Sequence, residues 1–137
     1  MADTVRKVEY FYIEAADKPG EGARVLKIFQ NAGVNLLAFT GFPRGRRAQI
    51  DFVPEDSTAF KSAAKQAGLK ISPQKTAFLV QGEDRIGAIA EVMARLAAAK
   101  INVTAIDAVG AGGSRFGAIL WVKSPDVNKA AKALGVS

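Results

Sequence analysis

The residues with the most chemistry in this chain come as two matching sets. Asp17, Gly20 and Asn35 form one, and Asp84, Gly87 and Asn102 form the other, each member 67 positions from its counterpart. An aspartate carboxylate can hold an ammonium group through charge-assisted hydrogen bonds, and an asparagine amide can donate and accept beside it. A glycine turn that opens a helix leaves backbone N–H groups unspent at the positive end of the helix dipole, a good seat for a carboxylate. A zwitterion such as an amino acid needs all three. Taken singly, the same residues have plainer roles: the aspartates as helix caps, the glycines as turn formers, and the asparagines as turns between helix and strand.

Catalysis has little to work with. The chain has no histidine and no cysteine, so the commonest catalytic base, the thiolate nucleophile, disulfides and Cys/His metal sites are all missing. Ser62, Ser72 and Ser114 have no histidine to activate them, no phosphate-cradling Walker sequence is present, and the carboxylates form no metal-ligand spacing. The expectation is a protein that is not an enzyme and carries no cofactor or metal.

The two sets sit in a longer internal repeat, the mark of two copies of one folding unit. At the same offset Phe11, Ala23, Val25, Ala32 and Ala38 meet Phe78, Ala90, Val92, Ala99 and Ala105. Each copy reads alike. Phe11–Ala15 and Phe78–Gln81 alternate apolar and more polar residues, as half-buried strands do. A helix follows each, with Val25, Leu26 and Phe29 on one stripe and Val92, Met93 and Leu96 on the other. Gly33 suits a left-handed helix end, whereas Lys100 at the matching point suits the dipole but not that conformation.

Strands are expected over 34–40 and 101–107, then hairpins through 41–47 and 110–114 into strands over 48–53 and 117–122. Second helices open at Asp56-Ser57 and at Ser124-Pro125-Asp126, with Ser124 as N-cap. A fourth strand, Leu69–Ser72, is expected only in the first copy. The fold class is therefore α+β, βαββαβ followed by βαββα, with helices on one face of antiparallel sheets and a division at 1–73 and 74–137.

Asp17-Lys18-Pro19-Gly20 with Gly33-Val34-Asn35, and Asp84-Arg85-Ile86-Gly87 with Ile101-Asn102, resemble the motif of ACT domains, the ferredoxin-like regulatory modules of amino-acid metabolism. The resemblance covers nearly the whole chain and occurs twice, with Ile86 in place of the family's proline in the second copy. It implies a free-standing regulatory protein of two ACT modules, with an effector, usually an amino acid, bound between paired modules at Asp17, Gly20 and Asn35 or Asp84, Gly87 and Asn102.

Helix length supports a shared site independently. An aspartate before a helix of about 12 residues and an asparagine after it stand roughly 18 Å apart, too far to hold one small molecule. Two modules running in opposite directions about a two-fold axis bring the aspartate of one to the asparagine of the other. The expected pairs are Asp17 with Asn102 and Asp84 with Asn35, within one chain or across a dimer. A second copy lacking its last strand also exposes the strand edge at 76–81, and homodimerisation there is expected.

Net charge is +6, or +3 in each half, so no single basic face points to nucleic acid. The third strands carry no aromatic RNA-binding motif. Arg44, Arg46 and Arg47 read as a solvated loop tip, or else as a contact for phosphate or an acidic partner. With no signal peptide and no apolar stretch near the length of a bilayer, the cytoplasm is the default. The expected partners are a small-molecule effector, a second copy and a regulated enzyme. A module for protein interaction that binds no small molecule is the competing reading.

Overall fold

The computed structural model describes residues 3–136. Its elements are β1 (Thr4–Ala16), α1 (Glu21–Asn31), β2 (Leu36–Arg44), β3 (Arg47–Pro54), α2 (Ser57–Gln66), β4 (Lys75–Glu83), α3 (Ala88–Ala98), β5 (Val103–Gly112) and β6 (Arg115–Val122), then a 3₁₀ turn at Ser124–Asp126 leading into α4 (Val127–Ala133). The strands follow the order β2-β3-β1-β4-β6-β5. The fold is α+β, as the patterning predicts, and the expected helices and hairpins are present.

The chain divides into two compact units. Glu9–Lys75 form one, and the stretch ending at Val8 joins Thr76 onward in the other. In the first, Phe11, Ile13 and Ala15 of β1 and Ile50 and Phe52 of β3 meet Val25 and Phe29 of α1 and Phe60, Ala63 and Ala64 of α2. Phe60 is its hub, with ring centroids 5.1 Å from Phe11, 4.4 Å from Phe29 and 5.3 Å from Phe52. In the second, Phe78 and Val80 of β4 and Phe116, Ala118 and Leu120 of β6 meet Val92 and Leu96 of α3 and Ala130 and Ala131 of α4. Alternate strand positions thus bury one face against two helices in each unit. Met93, expected on the α3 core stripe, is 36% exposed.

The first strand corrects two expectations. It is far longer than Phe11–Ala15, and its opening residues belong with the second unit, where Val5 packs against that unit's core. β4 consequently has β6 on one side and β1 on the other. The second unit does not go without an outer strand, and the expected free edge at 76–81, with the dimer built on it, is covered by the chain's own β1. The other correction concerns Leu69–Ser72, which takes no strand assignment. Ser72 nevertheless lies beside β1, its N–H donating to Tyr12 O at 2.9 Å and its Oγ accepting from Tyr12 N at 2.9 Å. The side-chain oxygen replaces a backbone carbonyl, so no regular ladder forms.

Loop chemistry explains the remaining turns. Gly113 and Ser114 both have φ near +60°, as a two-residue type I′ hairpin requires. Asp56 caps α2 by accepting from Ala59 N at 3.1 Å. Ser124, expected as an N-cap, instead begins the 3₁₀ turn, with Lys123 before it. Lys100 takes the left-handed φ of +60° that its side chain disfavours, because the chain reverses after α3 as it does at Gly33 after α1.

Candidate functional site

Gly20 and Gly87 are the N-cap residues of α1 and α3, with φ of 84° and 81°, a left-handed conformation that glycine adopts without steric cost. Neither cap uses a side chain. The plainer reading of Asp17 and Asp84 as helix caps therefore does not hold. Both are exposed, and among the described residues no side-chain hydrogen bond or ion pair engages either carboxylate. Ala88 N donates to Arg85 O at 3.3 Å and Glu91 N to Gly87 O at 3.0 Å. Ile89 and Ala90 lie between them in the first turn, where a helix has no internal acceptor for its N–H groups.

In the second unit this helix start opens on a cleft of about 280 Å³ lined by Asp84, Gly87, Ile89, Ala90, Val109 and Gly110, among others. The cleft holds one carboxylate, a helix start and apolar walls. Arg85 also lines it, and was not singled out from sequence although it lies inside the Asp-Arg-Ile-Gly motif. Its guanidinium donates to both oxygens of Asp3, at 2.9 and 3.1 Å, and to Glu91 at 2.6 Å. The hydrogen bonds to Asp3, and then to Glu91, raise its pKa above the ordinary arginine value. Asp3 is 82 positions away in sequence, so no periodicity could have found it.

Asn102 is exposed and lies past the far end of α3 from Asp84, outside that cleft's lining. The 11 residues of α3 place the two ends about 17 Å apart. In the first unit Asn35 is exposed and lines a separate shallow groove of about 560 Å³ with Lys27, Phe29, Gln30, Val34 and Leu36. Asp17 and Gly20 are not part of that groove. Each unit thus keeps its aspartate turn and its asparagine apart.

Elsewhere in the first unit Asp51 is a buried carboxylate on β3, accepting from Gln49 Nε2 at 2.9 Å. Burial raises its pKa, while the Gln49 hydrogen bond and Lys75 pull the other way. The Tyr10 hydroxyl is also pushed up, first by burial and then by the Asp51 charge. Arg44, Arg46 and Arg47 are exposed at the β2–β3 hairpin. Arg44 Nη1 donates to Gln49 Oε1 at 2.7 Å, and Arg47 approaches Glu14 at 4.0 Å. Among the described residues no three His, Cys, Asp or Glu side chains are grouped to hold a metal ion, and no helix is long and apolar enough to cross a membrane.

No protein-family model matches the sequence, and no curated protein does. Solved structures do. The chain is similar to protein BT0572 from Bacteroides thetaiotaomicron, with a TM-score of 0.80 at 15% identity over 96% of this chain and 88% of that one. It is also similar to the ligand-free regulatory subunit of aspartate kinase from Thermus thermophilus, with a TM-score of 0.64 at 15% identity over 97% and 94%. A putative C-terminal regulatory domain of aspartate kinase from Porphyromonas gingivalis W83 matches with a TM-score of 0.58 at 12% identity over 98% and 94%. At such identities the likeness is one of fold, and that fold is the ACT-like α+β arrangement.

Proposed function

We propose that this chain is a non-catalytic regulatory protein of two ACT modules, the second completed by the opening residues of β1, that binds an amino acid or similar zwitterion and signals to a regulated enzyme in the cytoplasm. The fold neighbours support the regulatory part: two of them are described as regulatory pieces of aspartate kinase.

The observation that carries the reading is the Asp84 carboxylate, unengaged beside the start of α3, with the asparagine of its own unit at the other end of that helix. These groups can serve as half of a zwitterion site, with the rest supplied by a second copy. β2 and β5 are the outer strands of the sheet order. β2 starts one residue after Asn35, whereas β5 ends at Gly112, close to the Asp84 turn. Antiparallel pairing of β2 with β5 of a second copy brings Asn35 to Asp84. By the same geometry Asn102 comes to the far end of β2, where Arg44 pairs with Arg47 and Arg47 with Ala16, next to Asp17. A two-fold dimer makes both contacts twice, and a ligand bridging them stabilises that dimer by its differential affinity for it.

A thermal-shift screen over the amino acids tests the reading, because a ligand at 100 times its dissociation constant adds about 2.7 kcal/mol to the folded state. Asn35→Ala and Asn102→Ala should each weaken that ligand in calorimetry while leaving the melting temperature of the free protein in place. A flat screen favours the second reading, a protein-interaction module. The exposed side chains of Ile86, Met93 and Val109, at 103%, 36% and 66%, speak for it.

A further inference from the structure

The two aspartate turns are held differently. Arg85 Nη1 donates to Asp3 Oδ1 at 2.9 Å and to Glu83 O at 3.0 Å, while Nη2 donates to Asp3 Oδ2 at 3.1 Å and to Glu91 Oε2 at 2.6 Å. One planar guanidinium therefore ties the end of β4, the first turn of α3 and the residue before β1 together, a geometry a lysine ammonium cannot reproduce. The Asp3 side chain is only 11% exposed. Gly82 makes room for it: a Cβ on Gly82 would collide with the Asp3 carboxylate and the Phe116 ring. In the first unit the matching residue is Lys18, exposed and, among the described residues, in no hydrogen bond or close ion pair with a carboxylate, the Glu21 charge acting on it only at longer range. The ion pair near it, Arg24 to Glu21 at 2.8 Å, lies within α1, and the Glu21 carboxylate also accepts from the backbone of Ala16, so this turn is tied only to its own flanking residues.

We infer that Asp3 is a positioning residue for the second turn, clamping Arg85 so that the Asp84 carboxylate and the α3 N–H groups are already in place before a ligand arrives. The 17–20 turn lacks a tie to a distant part of the chain, so the second turn is the more firmly held of the two and its cleft the better prepared for a ligand. What the turn is held ready for rests on the effector reading above. The holding itself does not.

Hydrogen exchange on the full chain without ligand tests the clamp. The backbone bonds of the two turns match: Ala88 N to Arg85 O at 3.3 Å against Glu21 N to Lys18 O at 3.4 Å, and Glu91 N to Gly87 O at 3.0 Å against Arg24 N to Gly20 O at 2.9 Å. A difference in protection therefore reports what the side chains do. After correction for intrinsic rates, Ala88 and Glu91 should exchange about tenfold more slowly than Glu21 and Arg24, the scale expected of charged hydrogen bonds. Asp3→Asn should abolish most of that difference while the Phe78–Val80 amides keep their rates, which a general loss of stability would not allow. Gly82→Ala, which displaces the carboxylate without removing it, should do the same. Equal protection of the two turns in the unmodified protein overturns the inference. So does an unchanged rate at Ala88 and Glu91 in both variants, or an equal acceleration through Phe78–Val80. No amino acid is added, so a flat effector screen and a failed clamp are separate results.

Discussion

The Asp84 carboxylate faces the bare backbone of Gly110: a Cβ placed on Gly110 would stand 3.6 Å from Asp84 Oδ2, in ordinary van der Waals contact. Gly110 is on the outer strand β5, and its φ is not one that demands glycine. Its missing side chain keeps the wall of the cleft low where a ligand ammonium would meet the carboxylate.

Gly110→Leu should therefore fill the mouth of that cleft without harming the fold. We expect a loss of effector affinity of about tenfold or more, with stability changed by no more than about 0.5 kcal/mol, as for an exposed substitution away from the core. Calorimetry and thermal melting on the same sample check both. Unchanged affinity would place the ligand elsewhere.

Asp51 gives a pH prediction of definite sign. Its folded pKa is raised, chiefly by burial, so the folded state favours the protonated form. The stability it contributes is present below the ordinary carboxylate value of 3.8 and is lost as pH rises through the raised folded value. Asp51→Asn keeps an oxygen for Gln49 and removes the buried charge. The variant should melt above the unmodified protein at pH 7, and the gap should shrink toward pH 4. A constant gap over that range would mean that burial of the charge is not the cause.

Phe60 holds the first core together through three ring contacts, whereas the matching position in the second unit is Val127. Phe60→Ala should cost about 3–5 kcal/mol in denaturant unfolding, the usual cost of deleting a buried aromatic ring. A loss under about 1 kcal/mol would show that the rings around it collapse into the gap.

Lys100 and Gly33 make a matched test of backbone strain, with φ of 60° and 72° at equivalent helix ends. Lys100→Gly should stabilise by about 0.5–1 kcal/mol, and Gly33→Ala should destabilise by about 1 kcal/mol or more. Chemical denaturation of both variants measures the pair. Effects of the same sign would rule out strain as the source.

Much of the fold is legible in the sequence because the repeat supplies each assignment twice: a strand ambiguous at Phe78–Gln81 gains support from its twin at Phe11–Ala15. The separation of Asp84 from Asn102 also follows from helix length alone. What periodicity does not carry is the choice of neighbour. Val5 and Val8 alternate as any half-buried strand does, and nothing local says that the first joins the core formed by residues beyond Thr76. The Asp3–Arg85 pair is hidden for the same reason. Local pattern makes Ser72 look like a strand residue because its hydroxyl's capture of Tyr12 N is tertiary. Lys100 misleads because chain reversal after α3 outweighs the preference of its own side chain.

Because β1 serves both units, its opening residues are made long before the strand they lie beside. A ribosome delivers Thr4–Val8 some seventy positions ahead of β4, so a complete first half can form while this leading segment still has nothing to join. A pairing between segments so far apart in sequence forms slowly compared with a hairpin. The second half is thereby bound to a piece of chain made well before it, and severing the protein at Pro73 would deprive it of that piece.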